Sequence, residues 1–235
     1  MRKHRVRALL MGGQACVFYG AAEFSRDTDF AILAGAANLA RLRRALAELQ
    51  AGTIAVPPFE LKHLRRGHAL HFRCQHPDAL RMPVDVMSKM RGVQAFSKLW
   101  KRRTSIKLPD GTRCDLLSLP DLVPAKKTQR DKDWPMIRRL VEAHYFENQG
   151  RAAPAQIRFW LQELRTPELL IETARLHPGV CRRLIAKRPL LAHALVGDTD
   201  HLAPALQAEE LSEREQDRQY WAPLRAKLEK LRHAK

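Results

Sequence analysis

Residues 12–32 read GGQACVFYGAAEFSRDTDFAI, and this stretch carries the pattern from which we predict the fold. It follows RVRALLM, in which apolar and basic residues alternate as in a short strand that ends at the glycine pair Gly12 and Gly13. QACVFYGAA then predicts a short helix, and FSRDTDFAIL predicts a strand that begins polar and becomes buried. Because side chains on a strand alternate with a period of two, Asp27 and Asp29 are predicted to share one face.

Strand and helix patterns alternate outward from this stretch as far as residue 150. Residues 38–51 place leucines on one stripe and predict a helix. HALHFRC and RMPVDVMSKM predict two more strands, the second with Asp85 between two valines, and TSIKLPDGTRCDLLS predicts a hairpin with PDG at its turn. The next segment is predicted to be helical, with interruptions near Pro124 and Pro135. These elements together predict an α+β fold class.

Strand patterns stop near residue 151, where the periodicity becomes helical. The capping-box pattern from Ser212 to Glu215 predicts the start of a final helix. Three prolines spaced by eleven residues each predict the first turn of a short helix: Pro167, Pro178 and Pro189. We therefore predict two domains, a mixed α/β region over 1–150 and an all-helical region over 151–235.

The composition restricts the classes of partner. The 235 residues carry a formal net charge of +17, and most of the excess lies in residues 1–150, which hold 27 Lys and Arg against 14 Asp and Glu. The positive electrostatic potential of such a protein attracts phosphate-rich partners and repels polycationic small molecules. No run approaches the roughly 20 apolar residues of a membrane span. The four cysteines are scattered, which predicts neither a zinc cluster nor a disulfide framework and favours reduced thiols in a cytoplasmic protein.

Two carboxylates on one strand face, next to a glycine turn, form a cluster of hard oxygen ligands. Mg²⁺ prefers a few carboxylates together with substrate phosphates. The predicted third carboxylate is Asp85, because an unpaired charge in an apolar strand would be costly. Asp115 in RCDLLS has the same apolar flanks and is the alternative third ligand. In the reading without a metal, Asp27 and Asp29 pair with nearby arginines and Asp85 forms a buried salt bridge.

The residues around the acids are suited to phosphate groups. Gly12 and Gly13 lack a Cβ, so a triphosphate could approach the backbone closely there. Ser25 and Arg26 would add a hydroxyl and a cation to the same phosphates.

The glycine pair, the later Ser-Arg-Asp-x-Asp and the still later apolar-Asp-apolar strand resemble the nucleotidyltransferase superfamily with the DNA polymerase β-type catalytic fold. The sequence GGQACVFYG…FSRDTDF is most similar to the bacterial branch that includes abortive-infection toxin and minimal nucleotidyltransferases. SLPDLVPAKKTQRDKD also resembles a segment of that branch in which a helix supplies a lysine and is followed by a Lys-Asp pair. The resemblance covers roughly residues 6–137, and Gly13 stands where many relatives have serine.

The resemblance implies a mixed sheet flanked by helices and a Mg²⁺-dependent active site. It implies that Asp27, Asp29 and Asp85 bind the metal and act in catalysis. The residues that it implies for nucleotide binding are Gly12, Gly13, Ser25, Arg26 and Lys126. Asp133 would also line the pocket, and Lys127 is the alternative to Lys126.

The expected function is transfer of a nucleoside monophosphate from a nucleoside triphosphate, ATP among the candidates, to a hydroxyl acceptor. The basic surface favours RNA, such as a tRNA end, as the acceptor. A toxin of a toxin–antitoxin system fits the resemblance, with an antitoxin or a second copy of the chain docking on the C-terminal helices. A nucleotide- or RNA-binding module without turnover is the alternative.

A basic segment without acids runs from Val86 to Pro109. Its cations are predicted to contact a phosphate backbone, while Trp100 anchors a helix to the core. The spacing of His68, His71 and His76 favours nucleic-acid contact or a plain surface position over metal ligation.

Overall fold

The computed structural model describes residues 1–233. It contains two compact units, the first formed by Met1–Ala125 together with the end of the chain from Gln219, and the second by Lys126–Arg218. The domain boundary predicted near residue 150 falls inside the second unit, between two helices, and stays a prediction.

The first unit is built on a mixed seven-stranded sheet. The strand order is β3-β4-β5-β2-β1-β7-β6, so β2, which follows the SRD motif, is the central strand. β2 pairs in antiparallel fashion with β1 and in parallel with β5. The strands are β1 (Ala8–Met11), β2 (Thr28–Ile32), β3 (Gly52–Thr53), β4 (Leu70–Arg73), β5 (Pro83–Met87), β6 (Thr104–Lys107) and β7 (Arg113–Leu116).

The alternation along these strands separates an apolar face from a polar one. Ile32, Phe72, Val84 and Val86 are buried in one hydrophobic cluster with residues of the amphipathic helix α2 (Ala36–Glu48). Burial of this face against α2 removes apolar area from water and holds the register of the central strands. The intervening residues of β2, β5 and β4, which include Asp29, therefore point to the opposite face.

Five α-helices begin and end within residues 1–126. Besides α2 they are α1 (Gly12–Phe18), α3 (Leu61–Arg66), α4 (Phe96–Arg102) and α5 (Leu119–Lys126). The predicted hairpin is confirmed, because β6 and β7 pair in antiparallel fashion around Gly111, whose φ of +81° suits a glycine. The predicted interruption near Pro124 is displaced, since Pro124 lies inside α5 and the chain leaves the helix only after Lys126.

From Asp133 to His233 the chain is mainly helical, as predicted. It forms α6 (Asp133–Asn148), α7 (Pro154–Glu163), α8 (Pro167–Leu176), α9 (Pro178–Leu184), α10 (Leu191–Val196) and α11 (Thr199–His233). Pro167 and Pro178 occupy the first turns of α8 and α9, as predicted. Pro189 lies two residues before α10 instead.

The prediction that a final helix starts at Ser212 is wrong. α11 begins at Thr199 and continues through that position. The Ser212 hydroxyl accepts a hydrogen bond from the Gln216 side chain at 3.3 Å, one turn further along the same helix. The start of α11 is set by Gly197, in the left-handed region, and by Asp198, whose Oδ1 accepts the His201 N–H at 3.2 Å.

Over the described residues, no helix combines the length and the apolar composition that a membrane span requires.

Candidate functional site

The sheet brings two of the predicted acids side by side. Asp29 of β2 and Asp85 of β5 are direct partners in the parallel register. Paired residues on parallel strands point to the same face, so both carboxylates project from the polar side of the central strands. Both residues are half-buried. Two carboxylates in this arrangement repel each other unless a cation or a proton donor stabilises them.

Asp27 lies in the loop immediately before β2 and is exposed. An extended backbone at Asp27, one residue before the start of β2, would point its side chain to the same face as Asp29. The ligand atoms of Asp27, Asp29 and Asp85 do not form a group within 4.8 Å of one another in the part of the chain that the structure describes.

A histidine on β4 lies next to Asp85 of β5. His71 of β4 is the antiparallel partner of Asp85, and its Nδ1 donates a hydrogen bond to Asp85 Oδ1 at 2.8 Å. This hydrogen bond, together with the negative charges of Asp85 and Asp29, raises the pKa of His71 above its ordinary value despite partial burial. We call Asp29, Asp85 and His71 the polar row.

The glycine pair packs directly against the acidic loop. A Cβ on Gly12 would lie 1.9 Å from Asp29 Oδ2, and a Cβ on Gly13 would lie 2.3 Å from the Ser25 hydroxyl oxygen. Gly12 also has a φ of +66°, which disfavours other residues. The loop is held to α1 by Gln14, whose side-chain amide donates to the Ser25 carbonyl at 2.7 Å. Gly12, Gly13 and Ser25 thus form a close-packed turn beside Asp29, which we call the glycine turn.

Asp115 lies elsewhere on the sheet. It belongs to β7, which pairs with β1 on the side of β1 away from β2. Its carboxylate accepts a hydrogen bond from the Ser105 hydroxyl and lies 3.3 Å from Arg103 Nε. Of the two alternatives for the third carboxylate, only Asp85 is the neighbour of Asp29.

The lysines of the second motif are engaged in ion pairs within the second unit. Lys126 Nζ lies 2.5 Å from Asp133 Oδ1, and both side chains are buried. The Thr128 hydroxyl and Arg130 Nε donate to the other Asp133 oxygen. The cations, Lys126 first, hold the pKa of Asp133 below its usual range in spite of its burial. Lys127 pairs with Glu163 at 2.7 Å. Contact of Lys126 or Asp133 with a nucleotide stays a prediction.

Two residues of the polar face were not singled out as site residues by the sequence. One is His71, and the other is Arg73, which lies two positions along β4, is exposed, and forms no ion pair with the residues that the structure describes. The alternation of HALHFRC places both on one strand face. That this face adjoins Asp85 follows only from the pairing of β4 with β5.

The basic segment supplies free cations and anchored ones. Trp100 stacks on Phe96 with ring centroids 5.7 Å apart, and Arg103 lies over its ring, so Trp100 packs against the protein as predicted. Arg102 donates to both oxygens of Asp121. Lys98 and Lys101 are exposed on α4 without an ion pair among residues 1–233.

The donor set suits a hard divalent cation. The neighbouring residues Asp29 and Asp85, with the exposed Asp27 two residues before Asp29, carry the kind of oxygen ligands that Mg²⁺ takes in proteins.

In comparisons with known proteins, no family model matches the chain, and no curated protein matches it at a significant level.

Proposed function

We propose that the protein is a Mg²⁺-dependent nucleotidyltransferase that moves a nucleoside monophosphate from a nucleoside triphosphate to a hydroxyl acceptor. The observation that carries the proposal is the pairing of Asp29 with Asp85 beside a turn in which Gly12 cannot be replaced without striking the Asp29 carboxylate. Carboxylates placed together on one face of a sheet are a common source of oxygen ligands for a divalent cation. The proposal includes the nucleotidyltransferase-like fold suggested by the sequence motifs.

Each residue has a defined part in this proposal. Asp27, Asp29 and Asp85 would hold Mg²⁺, which when bound supplies Lewis-acid stabilisation of charge on the phosphoryl oxygens. His71 holds one oxygen of Asp85 and so fixes the orientation of that carboxylate. The glycine turn and Ser25 orient the triphosphate, while Arg26 and Arg73 offer exposed cations to its charge. One carboxylate accepts the proton of the attacking hydroxyl.

RNA is the acceptor that the charge distribution favours. The first unit contains the exposed Lys98 and Lys101 of α4 in addition to the polar face. Cations without partners attract a phosphate backbone and gain from the release of its counterions. Modification of a tRNA end would interfere with translation. We therefore include a role as the toxin of a toxin–antitoxin system in the proposal.

The decisive experiment measures transfer of labelled nucleotide to total tRNA in the presence of Mg²⁺. We expect D27N, D29N and D85N each to lower incorporation by on the order of a hundredfold or more, the scale seen when one preorganised electrostatic group is removed. D115N is the matched control, because Asp115 is a carboxylate of the same sheet that pairs with Ser105 and Arg103. It should retain activity.

The same assay separates catalysis from simple binding. A binding module would retain triphosphate in the wild-type protein without releasing pyrophosphate, and no acceptor would become labelled. Full activity in D29N or D85N would refute the proposed site, and equal loss in D115N would attribute the effect to general destabilisation of the sheet.

A further inference from the structure

We propose that His193, Asp198 and His201 form a binding site for Zn²⁺ or a similar first-row transition-metal ion, separate from the carboxylate site of the sheet. Within the second unit, His193 lies in the last turn of α10, Asp198 immediately before α11, and His201 in the first turn of α11. One potential ligand atom from each lies within 4.8 Å of the others, the only such group over residues 1–233. This proposal does not depend on the proposed enzymatic function.

The local geometry gathers the two imidazoles around one carboxylate. His201 Nδ1 lies 2.8 Å from Asp198 Oδ2, and His193 Nδ1 lies 3.4 Å from the same oxygen. The two rings are stacked with an interplanar angle of 15° and centroids 5.5 Å apart.

Helix capping explains only part of this arrangement. As the cap of α11, Asp198 needs the backbone N–H of His201, and an i,i+3 pair with the His201 side chain is common in a first helical turn. Neither requirement accounts for His193, whose distance of 3.4 Å from Asp198 is long for a hydrogen bond. An ion between the three groups would give His193 Nδ1 a close partner.

The ligand types select the metal. Two imidazole nitrogens and one carboxylate suit zinc and its first-row neighbours, whereas Mg²⁺ prefers an all-oxygen set. His201 is exposed and His193 half-exposed, so a fourth position remains open to water. Asp200 adds a further negative charge near His201. A bound ion would connect α10 with α11 across the turn at Gly197.

The test is calorimetric titration of the full-length protein with Zn²⁺ in excess Mg²⁺, which competes for carboxylate sites elsewhere but not for imidazole ligands. We expect one Zn²⁺ per chain, a rise in melting temperature on binding, and a loss of affinity of at least about tenfold in H193A and D198N. Alanine suits the helical position of His193, and asparagine preserves the cap at position 198, so both variants should fold.

The matched control is H177A, which removes a half-buried histidine of the same unit outside the cluster. It should bind Zn²⁺ with the wild-type affinity and show the same rise in melting temperature. Absence of Zn²⁺ binding by the wild-type protein, or unchanged affinity in H193A, would overturn the site.

Discussion

Gly12 shows how a single residue links backbone conformation to the site. Its φ of +66° and the 1.9 Å approach of a hypothetical Cβ to Asp29 Oδ2 are two separate reasons for glycine at this position. The first is an intrinsic backbone preference that costs other residues about 1–2 kcal/mol. The second acts on the site, because any side chain here displaces the Asp29 carboxylate from its place beside Asp85.

A pair of alanine substitutions separates these two effects. Gly20 has a φ of +72° and nothing within 4 Å of a hypothetical Cβ, so G20A reports the backbone cost alone. We expect G20A to lose about 1–2 kcal/mol of unfolding free energy and to keep nucleotide transfer. G12A should lose at least as much stability and also lose Mg²⁺ affinity, measured by competition with Mn²⁺ in electron paramagnetic resonance. Equal metal affinity in the two variants would contradict the contact between Gly12 and Asp29.

The helix α4 is amphipathic, with one face buried in the protein and the other exposed. Phe96 and Leu99 are buried, and Trp100 packs between Phe96 and Arg103. Lys98 and Lys101, spaced by three residues, share an exposed face. The apolar face therefore fixes the helix while the two lysines remain available to a partner.

We expect the double variant K98A/K101A to bind single-stranded RNA more weakly than the wild-type protein. Loss of two phosphate contacts should reduce the slope of log K against log salt concentration by about 1.4. The control R182A/R183A removes two exposed cations of α9 and should leave the slope unchanged. Fluorescence anisotropy at several salt concentrations measures both quantities, and the same slope in K98A/K101A as in the wild type would exclude α4 from the interface.

The stability of the whole molecule depends on pH through two buried histidines. His63 and His68 are each 2% exposed, their rings meet edge to face, and Nδ1 of each lacks a hydrogen-bond partner in the described chain. Burial lowers the pKa of both rings, and the neighbouring cations Arg66 and Lys227 lower that of His68 further. The unfolded chain, with an ordinary pKa of about 6.5, binds protons that the folded protein does not.

We therefore expect titration of these histidines to leave the unfolding free energy unchanged above about pH 7.5 and to lower it as the pH falls through the unfolded pKa of about 6.5. The slope is at most about 1.4 kcal/mol per pH unit for each histidine. Urea denaturation of the wild type and of H63L/H68L at several pH values isolates this contribution, because other titrating groups are common to both proteins. The difference between the two proteins should change with pH between 6.5 and 5, and a constant difference would contradict neutral burial of the two rings.

The sequence predicted those features that depend on neighbouring residues. Alternation along FSRDTDFAIL and the glycines before it specify a strand and a turn, because side-chain period and backbone freedom are local properties. The shared face of Asp27 and Asp29 stays a prediction, since β2 begins only at Thr28. The same locality explains the error at Ser212, where a sequence that can cap a helix lies inside a longer one. A cap signature begins a helix only where the preceding chain leaves it.

Tertiary structure decided which distant residues meet. Asp85 and Asp115 have similar flanks, and only the strand order distinguishes the acid paired with Asp29 from the acid two strands away. His71 lies beside Asp85 because β4 pairs with β5. His193 and His201 lie close together because the chain turns at Gly197. Strand register and helix packing result from burial of side chains far apart in the chain, so they have no signature in any one segment.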